Sequence, residues 1–275
     1  MRSALYVPGN RPDLFDKALA GPADVVLLDL EDAVPVRDKD SARAEVVSWL
    51  RTAAAAGRRI WVRVNPGELG EAELRALAPT AIEAVSLAKT ESAEQVRAVG
   101  ALLARYETRP GTIRLCPLLE SPAAVYAARE IAAAPRVSRL QLGEADLRAD
   151  LGITPGPDER ELLAVRGQVV LASAAAGIDP PIGPARTDFR DLDALRETTV
   201  ALRRLGFRGR SCIHPDQVPV VNAVFTPAAH EVEQARELVR RYEAAAGGVL
   251  LDEAGRMVDL AVVRQARRLL ESLRG

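Results

Sequence analysis

Short apolar runs recur along the chain, each followed by a stretch of helical character, and this alternation restricts the fold more than any single motif does. The runs are SALYV (3–7), DVVLLDL (24–30), RIWVRV (59–64), EAVSLA (83–88), IRLCPLL (113–119), SRLQLG (138–143), a weak PPIG (180–183) and GRSCIH (209–214). Between them lie Ala-, Leu-, Arg- and Glu-rich segments of helical period, such as SARAEVVSWLRTAAAA, SAEQVRAVGALLARY and LDALRETTVALRRLG. Strand then helix, about eight times over, is the pattern of parallel βαβ units, and eight of these close most economically into a (β/α)8 TIM barrel. An open doubly wound sheet is the competitor, but no strand leads into a Gly-rich dinucleotide turn. The length of 275 residues suits one barrel domain.

After residue 215 the pattern changes to two helical segments joined by LLDEAGRMVD. This predicts a barrel over 1–215 and a C-terminal helical extension, able to act as a lid, over 216–275. A hydrophobic fraction of 48% supplies a core, and a formal net charge of −1 supplies no field to gather nucleic acid or anionic lipid. No apolar run approaches the roughly 20 residues that span a bilayer, and the first residues lack the apolar core of a secretory leader. Cys116 and Cys212 lie far apart in apolar surroundings, which suits buried reduced thiols and a cytoplasmic protein.

In a barrel of this kind the chemistry lies at the C-terminal ends of the strands, so polar residues directly after the apolar runs are the candidates. The second run ends in Asp29, Glu31 and Asp32, the third in Arg63 and Asn65, and the fourth in Lys89 and Glu91. Glu120 follows the fifth, Glu144 and Asp146 the sixth, and His214 ends the eighth. So many carboxylates in one mouth would repel and take up protons unless a cation neutralised them. Oxygen ligands without clustered His or Cys favour Mg²⁺, which needs one or two carboxylates and keeps positions for water and substrate. Glu120 and Asp146, after adjacent runs, are the best-placed pair, although each also suits a helix start. Arg63 fits either an internal ion pair or a fork for a planar carboxylate. The Asp29–Asp32 group fits a supporting role toward Arg63 or metal-bound water better than direct catalysis. His214, before Pro215, reads as structural and His230 as surface. Lys89 could form a Schiff base only with a depressed pKa, which nearby Glu91 opposes, so an ion pair is expected.

The segments SALYVPGNRPDLFDKAL, VVLLDLEDAV, VRVN, LLESP, GEADLRADLG, RGRSCIHP and GRMVD stand in the order found in the citrate lyase beta-subunit-like branch of the HpcH/HpaI aldolase superfamily. The chain resembles that family nearly end to end. The resemblance implies a Mg²⁺-dependent lyase or synthase for a β-hydroxyacyl-CoA of the malyl-CoA or citramalyl-CoA type, with acetyl-CoA and a 2-oxo acid as the other partners. It implies Glu120 and Asp146 as metal ligands, Arg63 on the substrate carboxylate, and Asp259 as the acid/base group. Glu31 and Asp32 are placed in the substrate-binding set beside Arg63. For the CoA thioester it points to Tyr6, Pro8, Gly9, Asn10 and Arg11, with Arg2 and Lys17 near them. Because the lid of relatives comes from a neighbouring subunit, a homo-oligomer is expected, as a trimer. The chain departs from the family pattern with GEAD for GAED, which moves a glutamate to Glu144, with Ala88 for proline, and with Arg210 for lysine. Alternatives are a citrate lyase beta subunit cleaving a citryl thioester on an acyl carrier protein, a pyruvate aldolase without CoA, and a non-catalytic metal- or CoA-binding partner protein.

Overall fold

A computed structural model describes residues 1–52, 59–244, 250–251, 257–271 and 273. Eight parallel strands form a closed barrel in chain order: β1 Ser3–Pro8, β2 Val25–Asp29, β3 Arg59–Val64, β4 Ala84–Leu87, β5 Arg114–Leu119, β6 Gln141–Leu142, β7 Ile182–Gly183 and β8 Gly209–Cys212, with β8 pairing back to β1. The TIM barrel expected from the alternation of runs is therefore the fold. Around it lie α1 Phe15–Ala20, α2 Lys39–Thr52, α3 Gly67–Leu77, α4 Ala93–Tyr106, α5 Pro122–Tyr126, α6 Ala128–Ala132, α7 Glu144–Leu151, α8 Leu163–Ala176, α9 Leu192–Leu205 and α10 Gln217–Phe225.

The strands carry apolar side chains on both faces because both faces are covered. Ala4, Val25, Leu27, Trp61, Ala84, Cys116 and Ile182 fill the interior, while a larger cluster including Phe15, Ile60, Leu103 and Phe207 joins strands to helices. Both cysteines are free and buried, and burial pushes both thiols up to about 12, so they pack as inert apolar groups. No helix among the described residues is long and apolar enough to cross a membrane.

Three elements differ from the sequence reading. The segment AAVYAAREIAA is two helices, α5 and α6, and at their junction Gln168 donates to the Val125 carbonyl at 2.7 Å, claiming an acceptor that a continuous helix would use. The extension opens with two helices rather than one, because Thr226 and Pro227 separate α10 from α11 (Ala229–Ala244), and proline cannot extend a helical ladder. The connector LLDEAGRMVD pairs Leu250–Leu251 (β9) with Met257–Val258 (β10) in antiparallel sense before α12 (Leu260–Glu271). The sequence puts the barrel boundary at 215/216, whereas the chain divides into compact units at Phe225/Thr226, since α10 packs on β1, β8 and α9.

One close approach sets the start of α3. A Cβ on Gly70 would collide with the Asn65 backbone carbonyl, a clash no relaxation of a side chain can relieve. Alanine ordinarily gains up to about 1 kcal/mol over glycine inside a helix, but displacing backbone costs about 1–3 kcal/mol or more, so the clash wins. Gly70→Ala should lower the melting temperature by about 5 °C or more in a thermal scan. A variant melting with the wild type would refute this packing.

Candidate active site

The chemistry-bearing side chains gather where the fold places them, at the C-terminal ends of the strands. Arg63 and Asp29 sit opposite one another on β3 and β2 in the barrel register. The Arg63 Nε donates to Asp29 Oδ1 at 2.7 Å and Nη2 to Oδ2 at 2.6 Å, a parallel fork in which Asp29 is 1% and Arg63 9% exposed. Arg63 Nη1 lies 2.9 Å from Glu31 Oε2, and the guanidinium carbon stands 5.0 Å from the centre of the Tyr6 ring. Burial opposes the charge on Arg63, yet the bonds from Asp29 and the charges of Asp29 and Glu31 outweigh it and hold its pKa above the ordinary arginine value.

The acidic segment after β2 folds around its own carboxylates. Asp29 accepts the N–H groups of Glu31 (2.9 Å) and Ala33 (3.2 Å), and Glu31 Oε2 accepts the N–H of Asp32 (2.9 Å). Lys39, at the start of α2 and buried, donates to the carbonyls of Leu30 (2.8 Å) and Glu31 (2.6 Å) and to Asn65 Oδ1 (2.9 Å). Asn65 in turn donates to the Leu30 carbonyl and, through Nδ2 and its backbone N–H, to Glu73 at 2.6 and 2.8 Å. Burial lifts the Glu73 carboxyl to about 7 against those two bonds. Lys89 donates to Glu31 Oε1 at 2.7 Å and lies 3.8 Å from Asp32, and its bond to Glu31 raises its pKa. The expected ion pair is thus present with Glu31. Glu91 instead accepts from the hydroxyl of Ser121, at 2.8 Å.

Glu120 and Asp146 face each other on the other side of the site. Glu120 follows β5 and is buried, its Oε1 accepting the backbone N–H of Lys89 at 2.6 Å. A Cβ on Gly143 would lie 2.7 Å from Glu120 Cβ and 3.0 Å from Oε2, so glycine at that position leaves the space the carboxylate occupies. Asp146, in the first turn of α7, is exposed and shares a hydrogen bond with Glu120. Burial, then the charge of Glu31 and the bond and charge of Asp146, drive the Glu120 carboxyl well above the usual carboxylate range. Two neighbouring carboxylates, one buried and one at the rim, fit a hard divalent cation that keeps positions for water and substrate. Among the described residues no three His, Cys, Asp or Glu side chains converge as a group able to hold a metal ion.

Other sequence-selected residues are dispersed. Tyr6 points into the barrel, where its hydroxyl accepts from Gln141 Nε2 at 2.6 Å and burial raises its pKa, so it stays a neutral phenol beneath Arg63. Gly9 donates to the Asp29 carbonyl at 2.7 Å, and a Cβ there would lie 2.8 Å from that oxygen. Arg11 pairs with Asp13 at the surface. Arg2 precedes β1 and pairs with Asp24, at the end of the barrel opposite the site, so it is not near the loop after β1 as expected. His214 stacks on Phe189 with ring centres 4.7 Å apart and accepts the N–H of Asp216, and His230 is exposed. Asp259 belongs to the second compact unit, where Oδ1 caps α12 by accepting from Ala261 (2.9 Å) and Val262 (3.1 Å). Gly255 and Arg256 of the GRMVD motif lie outside the described residues.

Lys39, Glu73 and Gln141 were not among the sequence candidates. Gln141 had a signal, as the polar position of the alternating SRLQLG run. Lys39 and Glu73 had none, being helix residues of ordinary charged type. A groove of about 420 Å³ opens beside Lys89 between α3 and α4, but neither Glu120 nor Asp146 lines it.

A (β/α)8 enzyme with an anion-ready arginine and a cation-ready carboxylate pair in one barrel mouth is the class these features define. The chain belongs to the HpcH/HpaI aldolase/citrate lyase family, whose model matches residues 2–215, in its citrate lyase beta-like branch. It is 32% identical to citrate lyase subunit beta of Leuconostoc mesenteroides subsp. cremoris over 98% of this chain and 92% of that protein. Two proteins of Cereibacter sphaeroides are similar: a (3S)-malyl-CoA thioesterase (35% identity, 89% of this chain, 84% of that protein) and an L-malyl-CoA/beta-methylmalyl-CoA lyase (34%, 96% and 92%). Among solved structures, protein CitE from Mycobacterium tuberculosis in complex with magnesium, acetoacetate and coenzyme A superposes with a TM-score of 0.80 at 32% identity, covering 98% of this chain and 97% of that one.

Mg²⁺ should raise the melting temperature of the wild type and leave Glu120→Gln and Asp146→Asn unmoved; a full Mg²⁺ shift in either variant would remove that residue from the metal site. Because Glu120 holds a proton that a cation must displace, Mg²⁺ affinity should rise from about pH 6 to about pH 8, with proton release visible by calorimetry in buffers of different ionisation enthalpy. Affinity flat across that window would show that Glu120 is already ionised.

Proposed function

We propose that the chain is a Mg²⁺-dependent carbon–carbon lyase for a β-hydroxyacyl-CoA of the malyl-CoA or citramalyl-CoA type, yielding or using acetyl-CoA and a 2-oxo acid. The observation that carries this reading is the Arg63 fork and the Glu120–Asp146 pair at the C-terminal ends of one barrel's strands. A divalent cation held by Glu120 and Asp146 would supply Lewis-acid polarisation of the 2-oxo acid's carbonyl. Arginine carries five N–H donors, and the bonds to Asp29 and Glu31 use one on Nε and one on each terminal nitrogen. One N–H on each terminal nitrogen is left to grip the substrate carboxylate end-on. Glu31 and Asp32 serve that carboxylate indirectly, by holding the cations that meet it, since two ionised carboxylates cannot bind a third.

Asp259 is the acid/base group in this reading. In the condensing direction it takes a proton from the acetyl methyl carbon, that carbon's electron pair forms the new bond to the carbonyl carbon as the C=O π pair moves to oxygen, and that oxygen takes a proton from solvent water to become the β-hydroxyl. In cleavage the bond breaks and Asp259 returns the proton to the methyl carbon. For CoA the assignment is Asn10 and Arg11 on the loop after β1, with Pro8 and Gly9 shaping that loop and Tyr6 supporting Arg63 from below. The proposed assembly is a cytoplasmic homotrimer, which elution as a monomer alone would exclude.

The test supplies malyl-CoA and citramalyl-CoA with and without Mg²⁺. Mg²⁺-dependent acetyl-CoA together with glyoxylate or pyruvate is expected. The likeness to a malyl-CoA thioesterase favours hydrolysis as the second reading, and free CoA thiol without acetyl-CoA would establish it in place of cleavage. No product from either thioester would remove the CoA lyase reading and leave the carrier-protein subunit. Asp259→Asn keeps an N-capping side chain for α12 while removing the base, so kcat should fall by about 10²–10⁴-fold at unchanged melting temperature. An unchanged kcat would strip Asp259 of its chemical role. Arg63→Lys keeps the charge and loses the fork, and should raise the KM for the 2-oxo acid by about tenfold or more while leaving that for acetyl-CoA; equal effects on both would move Arg63 away from the carboxylate.

A further inference from the structure

Lys89 adopts φ 51°, one of three residues other than glycine with positive φ among those described. Side chains rarely occupy this left-handed region, and glycine would do so without steric cost. Its turn is closed by Thr90, whose hydroxyl donates to the Leu87 carbonyl at 2.9 Å. From this conformation Lys89 holds both sides of the site. Its backbone N–H meets Glu120 Oε1 at 2.6 Å, and its ammonium meets Glu31 Oε1 at 2.7 Å. The other oxygen of Glu31 lies 2.9 Å from Arg63 Nη1. One residue therefore touches the carboxylate proposed for the metal and the carboxylate that steers the arginine.

We propose that Lys89 is a positioning residue that couples the metal side of the site to the carboxylate-binding side, its backbone placing Glu120 and its ammonium holding Glu31 against Arg63; this rests on the lyase reading only for its effect on substrate. The side chain is the reason a lysine stands where a glycine would be less strained. Glu31 is 3% exposed, so loss of the ammonium leaves one of its oxygens buried without its donor and adds uncompensated negative charge where an anionic 2-oxo acid must dock. Strain of this kind is retained at positions where the surrounding structure holds it for a functional reason.

The test is Lys89→Gly, which preserves the backbone conformation and the N–H to Glu120 while deleting the ammonium. Amide hydrogen exchange across residues 30–34 should speed by about tenfold, with β5 unchanged, and the melting temperature should stay within about 3 °C, because relief of the backbone strain offsets the loss of the Glu31 donor. In turnover, the KM for the 2-oxo acid should rise by about tenfold while that for acetyl-CoA stays within about twofold. Unchanged exchange at residues 30–34 would overturn the positioning role whatever the enzyme's substrate proves to be. A melting temperature lower by several degrees would reassign Lys89 to stability alone. If exchange quickens but wild type turns over no 2-oxo acid, the positioning role stands and the lyase reading falls.

Discussion

The site depends on one buried ion pair, Asp29 with Arg63. The two residues are register partners on neighbouring strands, and their forked bonds of 2.6 and 2.7 Å are shielded from water. Removing one member of such a pair leaves the other charged and buried, at a cost of about 3–5 kcal/mol, so neither can vary alone. Once Arg63 is fixed, Glu31 has a partner at 2.9 Å, and once Glu31 is fixed, Lys89 has one at 2.7 Å. The dense negative charge after β2 is therefore the scaffold of a cationic surface, and its own backbone N–H groups take up much of the remaining acceptor capacity.

Charge balance explains where a cation is wanted. Asp29, Glu31 and Asp32 on one side are met by Arg63 and Lys89, with the ammonium of Lys39 on the carbonyls of the same segment. Glu120 and Asp146 have each other, and for Glu120 the backbone N–H of Lys89. Two carboxylates so placed must share a proton or bind a metal. Below this layer, Gln141 bridges β1, β4 and β8 by donating to Tyr6 and Ser211 and accepting from Ser86, so the polar mouth rests on a hydrogen-bonded floor before the apolar interior begins.

The barrel was legible because each strand is an apolar run ended by polar residues, and the rule that strand ends carry chemistry picked out Asp29, Arg63, Lys89, Glu120 and Asp146 from the sequence. What could not be read was partnership. Lys89 pairs with Glu31, from a strand two places away in the barrel, and not with Glu91 two residues on, because the left-handed turn at Lys89 redirects its side chain. Tyr6 falls by strand alternation on the inner face, beneath Arg63, although its neighbours Asn10 and Arg11 lie on the loop. Lys39 and Glu73 gain their meaning only when α2 and α3 are laid against the ends of β2 and β3, which no local pattern records.

The displaced glutamate of GEAD shows how one position alters a site without removing it. Residues two apart on a helix point about 200° from each other, so Glu144 and Asp146 cannot both turn toward Glu120. Glu144 turns outward to α8, where Arg166 binds it through two bonds of 2.6 and 2.8 Å and also holds Glu159 at 2.7 Å. Arg166 is itself 2% exposed, its charge sustained by those carboxylates against burial. The glutamate thus leaves Glu120 and Asp146 as a pair of carboxylates, and it anchors the first turn of α7, which carries Asp146. A third carboxylate at that point would raise the repulsion the site already carries. Spent on Arg166, the same charge fixes the helix that carries Asp146.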